Sequence, residues 1–230
     1  MLNFHDKLPM LVWQTSMKPE LLTLRFNLKM EQNIIFKPGK LRKIERKWWS
    51  AILTEWQQVH KLYYKKSKND KAWSYNERAS ISMLAAAIWQ AGGIAIEEYI
   101  SVKNRSGKNK NGRVDLWFKM GGFAAVVEAK QMRKSVMGFT KKSEMDEKNL
   151  RKINEMIGEA EINVGESIGS EPNGYAILFL NLYNSNEIEI NLKNIYKQFQ
   201  KSDCDFYACI NCGPSNESFP AGFLLGKRYV

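Results

Sequence analysis

Gly121-Gly122 constrains this chain more than any other feature, because a two-residue turn there sets how the strand-like segments on either side, GRVDLWFK (112–119) and FAAVVEAK (123–130), pair with each other, whereas a three- or five-residue loop would shift the pairing by one. A two-residue turn at a Gly-Gly pair closes a β-hairpin in which Met120 faces Phe123. Counting outward in that register, Asp115 lies opposite Glu128 and Arg113 opposite Lys130. Side chains alternate along each strand, so Arg113, Asp115 and Trp117 are expected to share a face with Val126, Glu128 and Lys130. Opposed carboxylates destabilise a bare sheet. A bound divalent cation reverses the sign, because Mg²⁺ is held by one or two carboxylates together with water and phosphate oxygens. Read without a metal, the same residues are solvated acids on a polar sheet face, neutralised by Arg113 and Lys130.

The rest of the chain supplies a setting for that hairpin. Leu41, Ile44, Trp48, Ile52, Trp56, Val59 and Tyr63 recur at spacings of three and four, so residues 41–65 read as an amphipathic helix with an aromatic core stripe. A second helix is expected from about 75 to 91, ending at Gly92-Gly93. Its start, Ser74-Tyr75-Asn76-Glu77, has the S-x-x-E form of a capping box. Glu77 also continues the stripe Ile81, Leu84, Ile88, which points it toward the sheet. Strands follow at 94–103, 112–119 and 123–130, with KNRSGKNKN (103–111) as a long basic loop between the first two. A helix at about 144–163 precedes YAILFLNLY, an apolar run that reads as a central strand covered on both faces. A helix at 189–201 and one or two closing strands complete the chain. The expected fold is therefore α/β, with a mixed central sheet flanked by helices. Residues 1–70 are read as an N-terminal extension carrying the amphipathic basic helix, and 71–230 as the main domain.

Charge points to an anionic partner. The net charge is +11, and residues 37–71 carry eleven Lys/Arg against Glu45, Glu55 and Asp70. Residues 101–113 and 129–142 each add five basic side chains and no acid, so basic segments flank the hairpin. Either they attract a polyanion or they solubilise exposed faces. No apolar run is long enough to span a membrane and no signal-peptide core is present, so a soluble, cytoplasmic protein without a membrane partner is expected. Cys204, Cys209 and Cys212 are too few for a disulfide scaffold and read as buried thiols. The histidines, His5 and His60, are distant in sequence, which disfavours histidine-based zinc or general-base chemistry. No P-loop of the GxxxxGK[ST] form is present.

The D-x(12)-E-x-K spacing on a hairpin, the preceding helix with its acid and the αβββαβ order together resemble the PD-(D/E)XK nuclease superfamily over residues 74 to about 183. The resemblance implies a restriction-endonuclease-like core and a Mg²⁺-dependent deoxyribonuclease, with Mn²⁺ able to substitute and a homodimer as one assembly. It implies Asp115, Glu128 and the Ala129 carbonyl as metal ligands, and Lys130 as the group that orients the attacking water. Glu77 matches the helix acid that many members use as a further ligand. Val114 stands where the motif has proline. Arg113, Gln131, Lys103, Arg105, Lys108, Lys110, Arg133 and Lys134 are the candidates for nucleic-acid contact. The alternative is a nucleic-acid-binding module on the same fold that does not turn over.

Overall fold

The computed structural model describes residues 34–105, 108–136, 139, 144–167, 173–183, 192–210 and 218–229. In chain order the elements are β1 (Ile34–Phe36), α1 (Lys43–Lys66), α2 (Glu77–Gln90), β2 (Ile94–Arg105), β3 (Lys108–Met120) and β4 (Phe123–Ser135). Then come α3 (Glu144–Ser167), β5 (Gly174–Tyr183), α4 (Leu192–Lys201), β6 (Phe206–Ile210) and β7 (Ala221–Tyr229). The strands form one seven-stranded mixed sheet in the order β1-β6-β7-β5-β4-β3-β2. β4 and β5 run parallel, joined across α3, and the other neighbours are antiparallel.

β5 lies at the centre, as its composition predicts. Tyr175, Ile177 and Phe179 enter the core under α1 and α2, while Ala176, Leu178, Leu180 and Leu182 enter the core under α3 and α4. A strand apolar on both faces needs cover on both faces, and the four helices provide it.

α1 forms where the periodicity places it, but it docks through a neighbouring face. Trp49, Ile52, Leu53, Trp56, Val59 and His60 are buried, whereas Ile44 is exposed and Trp48 and Tyr63 are half-buried. The reason is Glu45, which is fully buried under the sheet. Its carboxylate ion-pairs with Arg42 at 3.0 Å and Arg228 at 2.9 Å, and accepts a hydrogen bond from Tyr175 Oη at 2.9 Å. Turning Glu45 inward carries Trp49, Leu53 and Trp56 in with it, since residues four apart share a face. α1 and β1 thus belong to the compact unit Gln32–Val230, with β1 paired to β6. The helix grouped above with an N-terminal extension is part of this core.

Two further expectations change. The N-cap of α2 is Asn76, whose side chain accepts the Ala79 N–H at 3.0 Å, so Glu77 is the first helical residue rather than the distal partner of a capping box. Glu77 is thereby released from capping. Residues 103–105 and 108–111 are strand rather than loop: β2 and β3 pair from Ile94↔Lys119 to Arg105↔Lys108, with a break at Glu98. The Lys/Asn-rich composition concealed two strand ends. Cys204 and Cys209 are buried; Cys212 and His5 lie outside the described residues.

Candidate functional site

The hairpin turn is the two-residue one. Met120 pairs with Phe123 and the ladder continues to Leu116↔Val127, with Gly121 at φ +60° supplying the left-handed first position. One rung further, at Asp115 and Glu128, the strands part. β3 continues along β2, and β4 continues along β5 from Val126↔Gly174 to Ser135↔Tyr183. The ladder therefore stops at the carboxylates.

β3 turns over at this rung. Leu116 packs under α1 and α2, yet Val114 packs under α3 and α4, although residues two apart on a regular strand share a face. On β2, Glu98, which occupies the rung opposite Asp115, has φ +52° and drops out of the ladder. The expectation that Arg113 and Trp117 share a face is corrected accordingly. Arg113 joins Arg78 of α2 in ion pairs with Glu98, at 3.2 and 3.3 Å, while Trp117 packs on the α3 side. Glu97 accepts a hydrogen bond from Ser82 Oγ at 2.7 Å.

The parting leaves one edge of β4 without a strand partner, and two carboxylates cap it. Asp115 Oδ2 accepts the Ala129 N–H at 2.7 Å, and Glu77 accepts the Gln131 N–H. In an extended strand a residue's N–H and C=O leave on the same side, so the Ala129 carbonyl faces the same gap. Burial, reinforced by the charge of Asp115, holds the Glu77 carboxyl above the usual carboxylate range, against the pull of Lys130 and the Gln131 N–H. Burial also drives the Glu128 carboxyl upward, with Asp115 adding to it and hydrogen bonds from Lys103 and Ser167 opposing it. Asp115 thus acts electrostatically on both Glu77 and Glu128 around the gap, and Lys130 acts on Glu77.

Glu128, 2% exposed, is held from two sides. Lys103 Nζ donates to its Oε1 at 2.6 Å, and Ser167 Oγ at the end of α3 lies 2.6 Å from the same oxygen. Lys103 was grouped by sequence with the nucleic-acid contacts; at 5% exposure it is instead part of this buried cluster. Ser167 had no place in the sequence reading, though Gly165-Glu166-Ser167-Ile168-Gly169 spells G-x-S-x-G. A nucleophile elbow needs a strand-to-helix turn, and Ser167 closes a helix, so the motif does not carry that chemistry here.

The remaining candidates divide. Gln131 Nε2 donates to the Tyr75 carbonyl at 2.6 Å, and Arg133 Nη2 donates to the Ser74 and Tyr75 carbonyls at 2.8 and 2.9 Å. Both clamp the backbone just ahead of Glu77. Lys134 is half-buried on β4. The side chains of Arg105, Lys108 and Lys110 lie outside the described residues.

The donor set fits a hard divalent cation. It is all oxygen, the charge of Asp115 raises the proton affinity of both Glu77 and Glu128, and the Ala129 carbonyl opens onto the same gap. Among the described residues no three acid, histidine or cysteine side chains stand close enough to form a ready-made cage. Two carboxylates, one carbonyl and waters are what Mg²⁺ uses. Comparison with family models, curated proteins and solved structures returns no match to this chain.

Proposed function

We propose that this protein is a Mg²⁺-dependent nuclease of the PD-(D/E)XK type that hydrolyses phosphodiester bonds in DNA. The observation that supports it best is the gathering of Asp115, Glu128, Glu77 and Lys130 where β3 and β4 part. Asp115, Glu128 and the Ala129 carbonyl would hold the cation, with Glu77 beside them. When bound, Mg²⁺ supplies Lewis acidity and an acidified water. The chain's own residues do the positioning. Gln131 and Arg133 fix the entry to α2, and so the placement of Glu77. Lys130 brings a compact ammonium to the gap, suited to orienting a water and stabilising charge that develops on a phosphate. The net charge of +11 attracts the polyanion.

A second reading, a nucleic-acid-binding module that does not cut, is favoured by the Lys103–Glu128 pair, since an ammonium already satisfies one ligand. Cleavage of plasmid and single-stranded DNA in Mg²⁺, Mn²⁺ or EDTA separates the two. Metal-dependent cutting lost in Lys130→Ala supports the nuclease. Salt-sensitive DNA binding with no cutting of any substrate supports the binding module.

A further inference from the structure

Lys103 reaches Glu128 by an unusual route. It starts on β2, the strand at the sheet's edge, and Glu128 is on β4, with β3 between them. Its stem crosses β3 at Gly112. A Cβ built on Gly112 would lie 2.8 Å from Lys103 Cγ and 2.7 Å from Cδ, so a side chain there would collide with the lysine. Gly112 has no turn to form: it pairs with Ser101 in the middle of a ladder, where glycine weakens a strand. The close crossing of a lysine gives it a reason to be there.

A buried ammonium on a buried carboxylate is a poor means of stabilising a fold, because desolvating both ions offsets much of their attraction. Here the carboxylate also belongs to the proposed metal set, and the lysine sits on the half of the hairpin beyond the Glu98–Asp115 break. Lys103 holds Oε1 of Glu128, so a divalent cation bound to the same carboxylate would compete with it, and two cations cannot share one carboxylate without repulsion.

We propose that Lys103 is a displaceable counter-cation that neutralises Glu128 in the metal-free protein and leaves it when a divalent cation binds. The inference rests on the nuclease reading for the identity of the metal site. Its consequence is that metal affinity is held down by an internal competitor, and that metal occupancy is coupled to the outer half of the β2–β3 hairpin.

The test is Mn²⁺ binding to the full chain followed by electron paramagnetic resonance, which requires no DNA and no turnover. The proteins are the parent, Lys103→Met, Gly112→Ala and Asp115→Asn. Lys103→Met removes the competitor, and Gly112→Ala pushes it aside without removing any charged group. Both are expected to bind Mn²⁺ about tenfold or more tightly than the parent, because each leaves the buried carboxylate without its cation. In the parent, reaction of Lys103 with an amine-specific reagent, read by mass spectrometry, is expected to be slow in EDTA and several-fold faster at saturating Mn²⁺. This measurement stands even if Lys103→Met fails to fold. The proposal is overturned if the parent binds Mn²⁺ and Asp115→Asn abolishes that binding, but Lys103 stays equally protected at saturation. Lys103 is then a permanent member of the site. Absence of Mn²⁺ binding in every protein overturns the nuclease reading along with it.

Discussion

His60 gives the most direct test of how the core is built. It is 1% exposed, and neither ring nitrogen has a hydrogen-bond partner among the described residues. Its ring stands edge-on to Trp56 and Trp73, with centroids 5.0 and 5.6 Å away. Burial pushes its pKa down from 6.5 to about 3. Between those values the unfolded chain binds a proton that the folded protein refuses, so folding stability must fall as the pH drops below 6.5. Each pH unit in that window costs about 1.4 kcal/mol. At pH 5 the loss is about 2 kcal/mol, against almost none at pH 7.5. Replacing the imidazole by a ring of similar shape that cannot titrate, His60→Phe, should abolish that loss. Urea unfolding of parent and variant at pH 7.5, 6, 5 and 4 measures it. Glu77, Glu128 and Asp205 are raised, so they favour folding at low pH and oppose the slope, but they are present in both proteins and cancel in the difference. A variant whose stability falls with pH as steeply as the parent's would refute the assignment of His60 as a buried neutral base.

Other outcomes follow from the same packing and charge. Lys130→Ala should lower DNA cleavage by about 10²-fold or more, with unfolding unchanged; an unaffected rate removes Lys130 from the site. Asp115→Asn should keep an acceptor for the Ala129 N–H and change stability little, whereas Asp115→Ala strands that N–H at the gap and should cost about 1–2 kcal/mol in chemical denaturation. Glu45→Ala leaves Arg228 and Tyr175 without their carboxylate and should cost about 3–5 kcal/mol. Gly226→Ala places a Cβ 2.1 Å from the fully buried Phe206 ring, and thermal unfolding should show a loss of at least about 1–3 kcal/mol.

The hairpin shows how far sequence reading reaches. Its register was legible because a two-residue turn sets pairing by local geometry, and Gly-Gly admits little else at that length. α2 was legible through its stripe, and Ile81, Leu84 and Ile88 are all buried. β5 was legible because a strand apolar on both faces has only one place in a sheet. Errors arose where a local signal competed with a distant partner. The α1 stripe contained more apolar residues than one face accommodates, and Arg228, nearly the whole chain away, decided the matter by drawing Glu45 inward. The start of α2 was read with Ser74 as its cap; Asn76 caps it instead, while the Ser74 and Tyr75 carbonyls are held by Arg133 and Gln131.

The sequence by itself therefore determined the pieces whose causes are local: the main helices and the hairpin strands, which strand is central, and that Asp115 and Glu128 flank one hairpin at matching positions. The tertiary structure alone decided that the ladder ends there, because β4 leaves β3 for a parallel strand that comes some fifty residues later. That departure opens the edge that Asp115 and Glu77 cap. It also decided that Lys103 crosses Gly112 to Glu128, a contact spanning three strands and closed by Ser167 from α3. A buried ion pair of this kind depends on the desolvation that distant elements impose together, and no spacing within a single segment encodes it.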